Sequence, residues 1–265
     1  MGRIDDIFSN LRAENRKALM PFLCAGYPTM ERSHAAILAC VGAGASVIEI
    51  GIPFSDPIAD GPVIAGAMHD ALGQGVTPSG VFDMVHSLRN ETSAGLIAMV
   101  SYSIVYRMGD GGARAFIEEA CEAGFDGFIF PDVPAEESDE LVHICDACDA
   151  SLSMLIAPTT SGARLNDVVS RCRGFVYLMA RVGITGTATS LESDGLAERV
   201  AAIRELSDLP IACGFGISSA DQVREVVRHA DAAIVGSALV DQMGEAKDPA
   251  AAAGRFVREL ATGLA

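Results

Sequence analysis

Although half of its 265 residues are apolar, the chain contains no uninterrupted apolar run approaching the roughly 18 residues that cross a bilayer. The first residues, Met1-Gly2-Arg3-Ile4-Asp5-Asp6, place acid where a signal peptide needs an apolar stretch, so a cytoplasmic protein is expected. Cations are scarce: 19 Lys and Arg face 35 Asp and Glu, a formal charge of −16. That field repels nucleic acid and anionic lipid, and neither is expected as a partner. An anionic substrate would have to be held by local dipoles, meaning helix N-termini and backbone N–H groups. Paired cysteines are also lacking. The seven thiols are an odd number scattered through apolar segments, the usage of a reducing compartment. Cys145-Asp-Ala-Cys148 is formally a CxxC with His143 nearby, but no second pair stands at zinc-finger spacing and no metal is expected. Nor does a linker or low-complexity tract divide the chain, which reads as one domain over residues 1–265.

What is present is an alternation. Apolar segments of about five residues, the strands of a parallel sheet, alternate with amphipathic segments of about 12. The strands are expected at 19–24, 47–51, 96–101, 126–131, 152–157, 174–179, 209–213 and 231–235. Helices are expected at 30–43, 63–73, 110–123, 135–149, 162–171, 193–206, 219–229 and 248–261. An N-terminal helix over 4–14 and an extra one over 78–89, inside the second crossover, complete the pattern. Eight βα units suit a closed (β/α)8 TIM barrel, which needs about 250 residues. No Gly-x-Gly-x-x-Gly follows the first strand to suggest an open dinucleotide-binding sheet.

Barrel chemistry sits at the carboxyl ends of the strands, and residues 47–62 stand out there. Val47, Ile48 and Ile50 make a buried strand, yet Glu49 lies in its middle, where an ionised carboxylate is costly unless compensated. Desolvation would raise its pKa toward the range of a general acid/base. A loop stiffened by Pro53, Pro57 and Pro62 then carries Asp56 and Asp60. Asp60, ahead of Gly-Pro and a helix, serves equally as a second catalytic carboxylate or as a cap, while Asp56 reads as a turn residue. Glycines follow the last two strands, in Gly214-Phe-Gly216 and in Gly236-Ser237, where barrel enzymes hold phosphate on backbone N–H groups. The segment from Arg181 to Ser190, rich in glycine and threonine, has the composition of a loop that orders over a ligand.

The uninterrupted frame of Glu49, Gly51-Ile-Pro-Phe-Ser-Asp-Pro57 and Ala59-Asp-Gly-Pro62 closely resembles the signature of the tryptophan synthase alpha subunit family. The resemblance runs nearly end to end. It implies a lyase that cleaves indole-3-glycerol phosphate, with Glu49 and Asp60 as the catalytic pair. It implies phosphate contacts at Gly186, Gly216, Gly236 and Ser237, and a closing loop whose Thr185 meets the catalytic aspartate. Phe22, Tyr102 and Tyr177 match the ring pocket, as do Val100, Ile129 and Leu155, all read as strand residues. It further implies a beta subunit as partner, in an alpha2beta2 heterotetramer, with pyridoxal phosphate belonging to that partner and no cofactor in this chain. One departure concerns the partner: relatives usually carry an asparagine shortly after the tyrosine of the third strand, whereas here Tyr102 is followed by Ser103-Ile-Val-Tyr106. Three other readings stay open: a barrel acting on another sugar phosphate, a non-catalytic activator of a beta subunit, and a free-standing indole-forming lyase.

Overall fold

The computed structural model describes residues 2–57, 60–108, 111–179, 193–214 and 216–265. Helix α1 (Arg3–Ala13) leads into β1 (Ala18–Cys24), α2 (Met30–Gly42) and β2 (Val47–Gly51). Two helices, α3 (Pro62–Gly73) and α4 (Pro78–Arg89), fill the second crossover before β3 (Gly95–Met99). Then follow α5 (Tyr102–Tyr106), α6 (Gly112–Ala123), β4 (Gly127–Ile129), α7 (Asp139–Ala147), β5 (Ser151–Leu152), β6 (Leu155–Ile156), α8 (Gly162–Ser170) and β7 (Val176–Met179). The chain ends with α9 (Ser193–Arg204), β8 (Ile211–Gly214), α10 (Ala220–Val227), β9 (Ala232–Val235), α11 (Ser237–Gly244) and α12 (Pro249–Ala261).

All the strand pairs are parallel, in the order β5-β4-β3-β2-β1-β9-β8-β7-β6. The two ends of that order, β5 and β6, are consecutive pieces of one run, so the sheet closes on itself as a TIM barrel. The break falls where the expected fifth strand was unbroken, and Ser153 bridges it. Its amide continues the ladder to the Phe128 carbonyl (3.0 Å), while its hydroxyl donates to the Phe175 carbonyl on the other side (2.9 Å). A side chain thus replaces a ladder bond.

In each strand, alternate residues face the helices or the interior. Ile48, Ile50, Leu96, Ala98 and Phe128 belong to the large cluster beneath the helices. Met20, Val47, Ile97, Ile129, Tyr177 and Ile234 belong to the inner one. Helix α1 stops the amino-terminal end of the barrel, with Ile4, Phe8 and Leu11 buried in that inner cluster and Phe8 packed on Phe175 at a centroid separation of 6.1 Å.

Two carboxylates bolt this plug to opposite sides of the ring. Asp126, just before β4, accepts from the Leu96 amide (2.8 Å), from Arg89 (2.7 Å) and from Arg3 on α1 (3.1 Å). Asp231, just before β9, accepts from the Ile211 amide (3.0 Å), from Arg204 (2.8 Å) and from Lys17 just past α1 (3.3 Å). Burial acts to raise the pKa of Asp231, but the Ile211 amide, Arg204 and Lys17 together hold it below its ordinary value.

Candidate active site

Glu49 faces the barrel interior because it stands in register with Phe22 of β1 and Ile97 of β3. It is completely buried, and neither carboxylate oxygen has a hydrogen-bond partner among the described residues. Burial alone pushes its pKa from 4.5 to about 8, because the charged form has lost water without gaining a cation or donor. Asp60 lies on the loop after β2, directly before Gly61, and it is Gly61 that caps α3. Burial moves Asp60 from 3.8 to about 6. Two carboxyl groups of different acid strength, one holding its proton at neutral pH and one largely ionised, are what paired acid and base chemistry requires.

Tyr177, on β7, ties the two together. Its phenol is buried and its pKa is driven well above 10.0, first by burial and then by Glu49, with smaller contributions from Cys213 and Asp60. Phe22 forms another wall. Its ring lies so close over Gly51 that a Cβ there would collide with it, and Phe22 and Ile64 both come within 3.6 Å of where a Cβ on Gly236 would stand. The apolar wall beside Glu49 is therefore continuous with the loop after β9.

That loop opens α11, with Gly236 at the N-cap and Ser237 as first residue. The first amides of a helix have no intrahelical acceptor, and the buried Ser237 hydroxyl has no partner among the described residues. After the adjacent strand β8, Gly216 holds a φ of +80°, a left-handed conformation that suits glycine. The next amides of this loop turn inward: Ser218 N–H donates to Gln222 Oε1 (2.7 Å) and Ser219 caps α10. Gly216 and the Gly236-Ser237 pair thus follow adjacent strands, β8 and β9, and the amides that open α11 are of the kind that can meet an anion.

Other expectations need correction. Tyr102 is not on a strand. β3 ends at Met99 and Ser101 caps α5, so Tyr102 opens a helix. It packs against the helix-side cluster, its phenol raised by burial and then by Glu140 and Tyr106 rather than by the carboxyl pair. Val100 is also beyond β3, buried on the helix side, whereas Ile129 and Leu155 face inward as expected. Thr185 and Gly186, with the rest of 180–192, lie outside the described residues. Asp56 is an exposed loop residue that accepts from the Ser55 hydroxyl (2.6 Å). All seven cysteines are free thiols, and among the described residues no cluster of His, Cys, Asp or Glu is placed to hold a metal ion.

Asp132, just after β4, joins two elements. Its carboxylate accepts from the Ser101 hydroxyl (2.6 Å) and the Tyr102 amide (2.9 Å), fixing the start of α5 to the end of β4. Arg199 was missed altogether. It donates to the carbonyl of Met179 (2.7 Å), the last residue of β7.

Known proteins share this fold along most of the chain. The sequence profile described as tryptophan synthase alpha chain matches residues 8–263. The alpha chain of a Synechococcus species is 42% identical over 258 residues, covering 96% of this chain and 94% of its own. That of Chloroflexus aurantiacus is 39% identical, covering 100% and 99%. Among solved structures, a chain of Mycobacterium tuberculosis tryptophan synthase superposes with a TM-score of 0.91 at 32% identity, covering 100% of this chain and 98% of that one. The tryptophan synthase subunit alpha of Legionella pneumophila gives 0.90 at 32%, with the same coverage. With a barrel of the same closure and a match along nearly all its length, the chain belongs to the tryptophan synthase alpha chain family.

Proposed function

We propose that Glu49 and Asp60 are the catalytic carboxyl pair with which this lyase of tryptophan biosynthesis cleaves indole-3-glycerol phosphate to indole and glyceraldehyde 3-phosphate. The reaction is a retro-aldol cleavage. Glu49, holding its proton, delivers it to ring carbon C3, and the positive charge that appears at the ring nitrogen is met by ionised Asp60. The protonated ring becomes the electron sink. Glu49, now a carboxylate, takes the proton of the neighbouring hydroxyl. The carbonyl forms, the carbon–carbon bond breaks, and its electron pair restores the indole. Glu49 ends as it began, and no electrons leave or enter. Each proton transfer is worth about 10² to 10⁴ in rate.

The single observation that carries this reading is Glu49, an acid raised to about 8 by burial, without a partner among the described residues and inside a barrel mouth. Among the described residues no ion pair accounts for it. Phe22 and Tyr177 supply an apolar, aromatic wall for the ring. Gly216, Gly236 and Ser237 hold the phosphate, and the family resemblance adds Gly186 to that set and pairs Thr185 with Asp60. Orientation by the phosphate sets the ring against the carboxyl pair. This chemistry asks for no cofactor in this chain.

The reading extends to assembly. Family membership implies a beta subunit, and we place this chain in an alpha2beta2 heterotetramer of the cytoplasm, where a pyridoxal phosphate enzyme consumes the indole. The 265 residues act as one barrel domain. Among the described residues no helix is long and apolar enough to cross a membrane. The test is indole release by the purified chain. Wild type is expected to release it, while Glu49→Gln and Asp60→Asn lose activity by about 10² or more; variants as active as wild type would remove both residues from the mechanism.

A further inference from the structure

The two bolts that hold α1 differ in one respect. At Asp126 the carboxylate is met by a strand amide, one arginine from the preceding helix and one cation from α1. Asp231 has the same set, from Ile211, Arg204 and Lys17. Its requirements are complete. Yet a small open cleft of about 70 Å³ lies beside it, bounded by Arg12, Asn15, Arg16, Lys17, Pro210 and Asp231. Arg12 and Arg16 are surplus to the bolt.

The carbonyls at the end of α1 occupy neither, although Arg12, in the last turn, complements the helix dipole. The last carbonyls of that helix are taken by backbone amides, Glu14 N–H to Asn10, Asn15 N–H to Arg12 and Arg16 N–H to Leu11, at 2.8 to 3.1 Å. Asn15 turns the chain with a φ of +52°, which brings Arg16 and Lys17 back over the barrel floor. Arg12 makes one described bond, to the Asp208 carbonyl (3.0 Å). Arg16 pairs with Glu14 at the exposed rim, where such a pair is weak and easily exchanged. Even with Glu14, Arg204, Asp208 and Asp231 included, the cleft keeps an excess of one positive charge within a chain of formal charge −16.

We propose that this cleft is a binding site for a small multivalent oxyanion, at the end of the barrel opposite the carboxyl pair. Arg12 and Arg16 provide planar, forked donors that fit phosphate or carboxylate oxygens. Lys17 turns a free N–H toward the ligand while keeping Asp231. The ligand exchanges Glu14 for itself at Arg16.

The test is an amide NMR titration of the full-length chain with inorganic phosphate, and separately with citrate, at constant ionic strength. With phosphate or citrate, the amides of residues 12–17 are expected to shift and saturate with a Kd below about 1 mM. The double variant Arg12→Gln, Arg16→Gln is expected to lose that response while keeping the amide dispersion of the folded barrel. Shifts that stay linear with both anions, or that saturate unchanged in the double variant, would overturn the site. The readout is local to α1 and is independent of whether the mouth binds a substrate phosphate.

Discussion

Replacing Glu49 by glutamine should make the protein less sensitive to alkali. In the unfolded chain the carboxyl titrates near 4.5, and in the barrel burial moves it to about 8. Between those values the folded protein holds a proton that the unfolded chain releases, so stability falls as pH rises. At 1.36 kcal/mol per pKa unit, the full difference is about 5 kcal/mol. This is an upper value, since any water entering the mouth solvates the carboxylate and reduces it. Such a cost is a large part of a domain's stability. Glutamine keeps the shape but cannot ionise. Its amide also lacks partners, a penalty of about 1 to 3 kcal/mol that does not depend on pH. The pH dependence of the difference is therefore the quantity to read. Urea unfolding of wild type and Glu49→Gln from about pH 5 to 9 should show wild type losing several kcal/mol relative to the variant, mostly below pH 8. Parallel curves across that range would mean that Glu49 is solvated or paired, and the reasoning about its acid strength would fail.

Three other outcomes follow from the same structure. The pH profile of kcat/KM should be bell-shaped, with limbs near the values of about 6 for Asp60 and about 8 for Glu49, since activity needs the first ionised and the second protonated; a profile flat from pH 5 to 9 would contradict the assignment. Phe8→Ala should cost about 3 to 5 kcal/mol in chemical denaturation by emptying the plug, while the activity of folded molecules survives, because α1 lies at the other end of the barrel. Asp132→Ala should destabilise by about 1 kcal/mol, as for a lost helix cap, and hydrogen exchange should show faster loss of the Tyr102 amide; unchanged exchange there would mean that α5 does not depend on Asp132.

Much of this was legible in the sequence because the interactions concerned are local. Apolar runs of about five residues marked the strands, and a lone acid within one of them marked Glu49, whose inward direction follows from alternation along β2. Phe22 was matched to the ring pocket by family resemblance alone, and register sets it beside Glu49. The errors arise where distant partners decide. The run ending in Val100-Ser101 looks like a strand, but Ser101 caps a helix whose first donors are satisfied by Asp132 from the next strand's loop. A five-residue helix is too short to stand alone, so nothing in its own residues announces α5 strongly. The bolts at Asp126 and Asp231 join elements from across the chain, and the break between β5 and β6 depends on a serine bonding to a carbonyl 22 residues later. The serine before Tyr102 was the one available signal, as a possible helix cap.

The most direct test of the central claim is indole release from indole-3-glycerol phosphate by the purified chain and by Glu49→Gln, each with and without a beta subunit. The account predicts that wild type releases indole slowly alone and faster with the partner, and that Glu49→Gln releases none above background in either case. Equal release by the two proteins, or none by wild type under either condition, would contradict it.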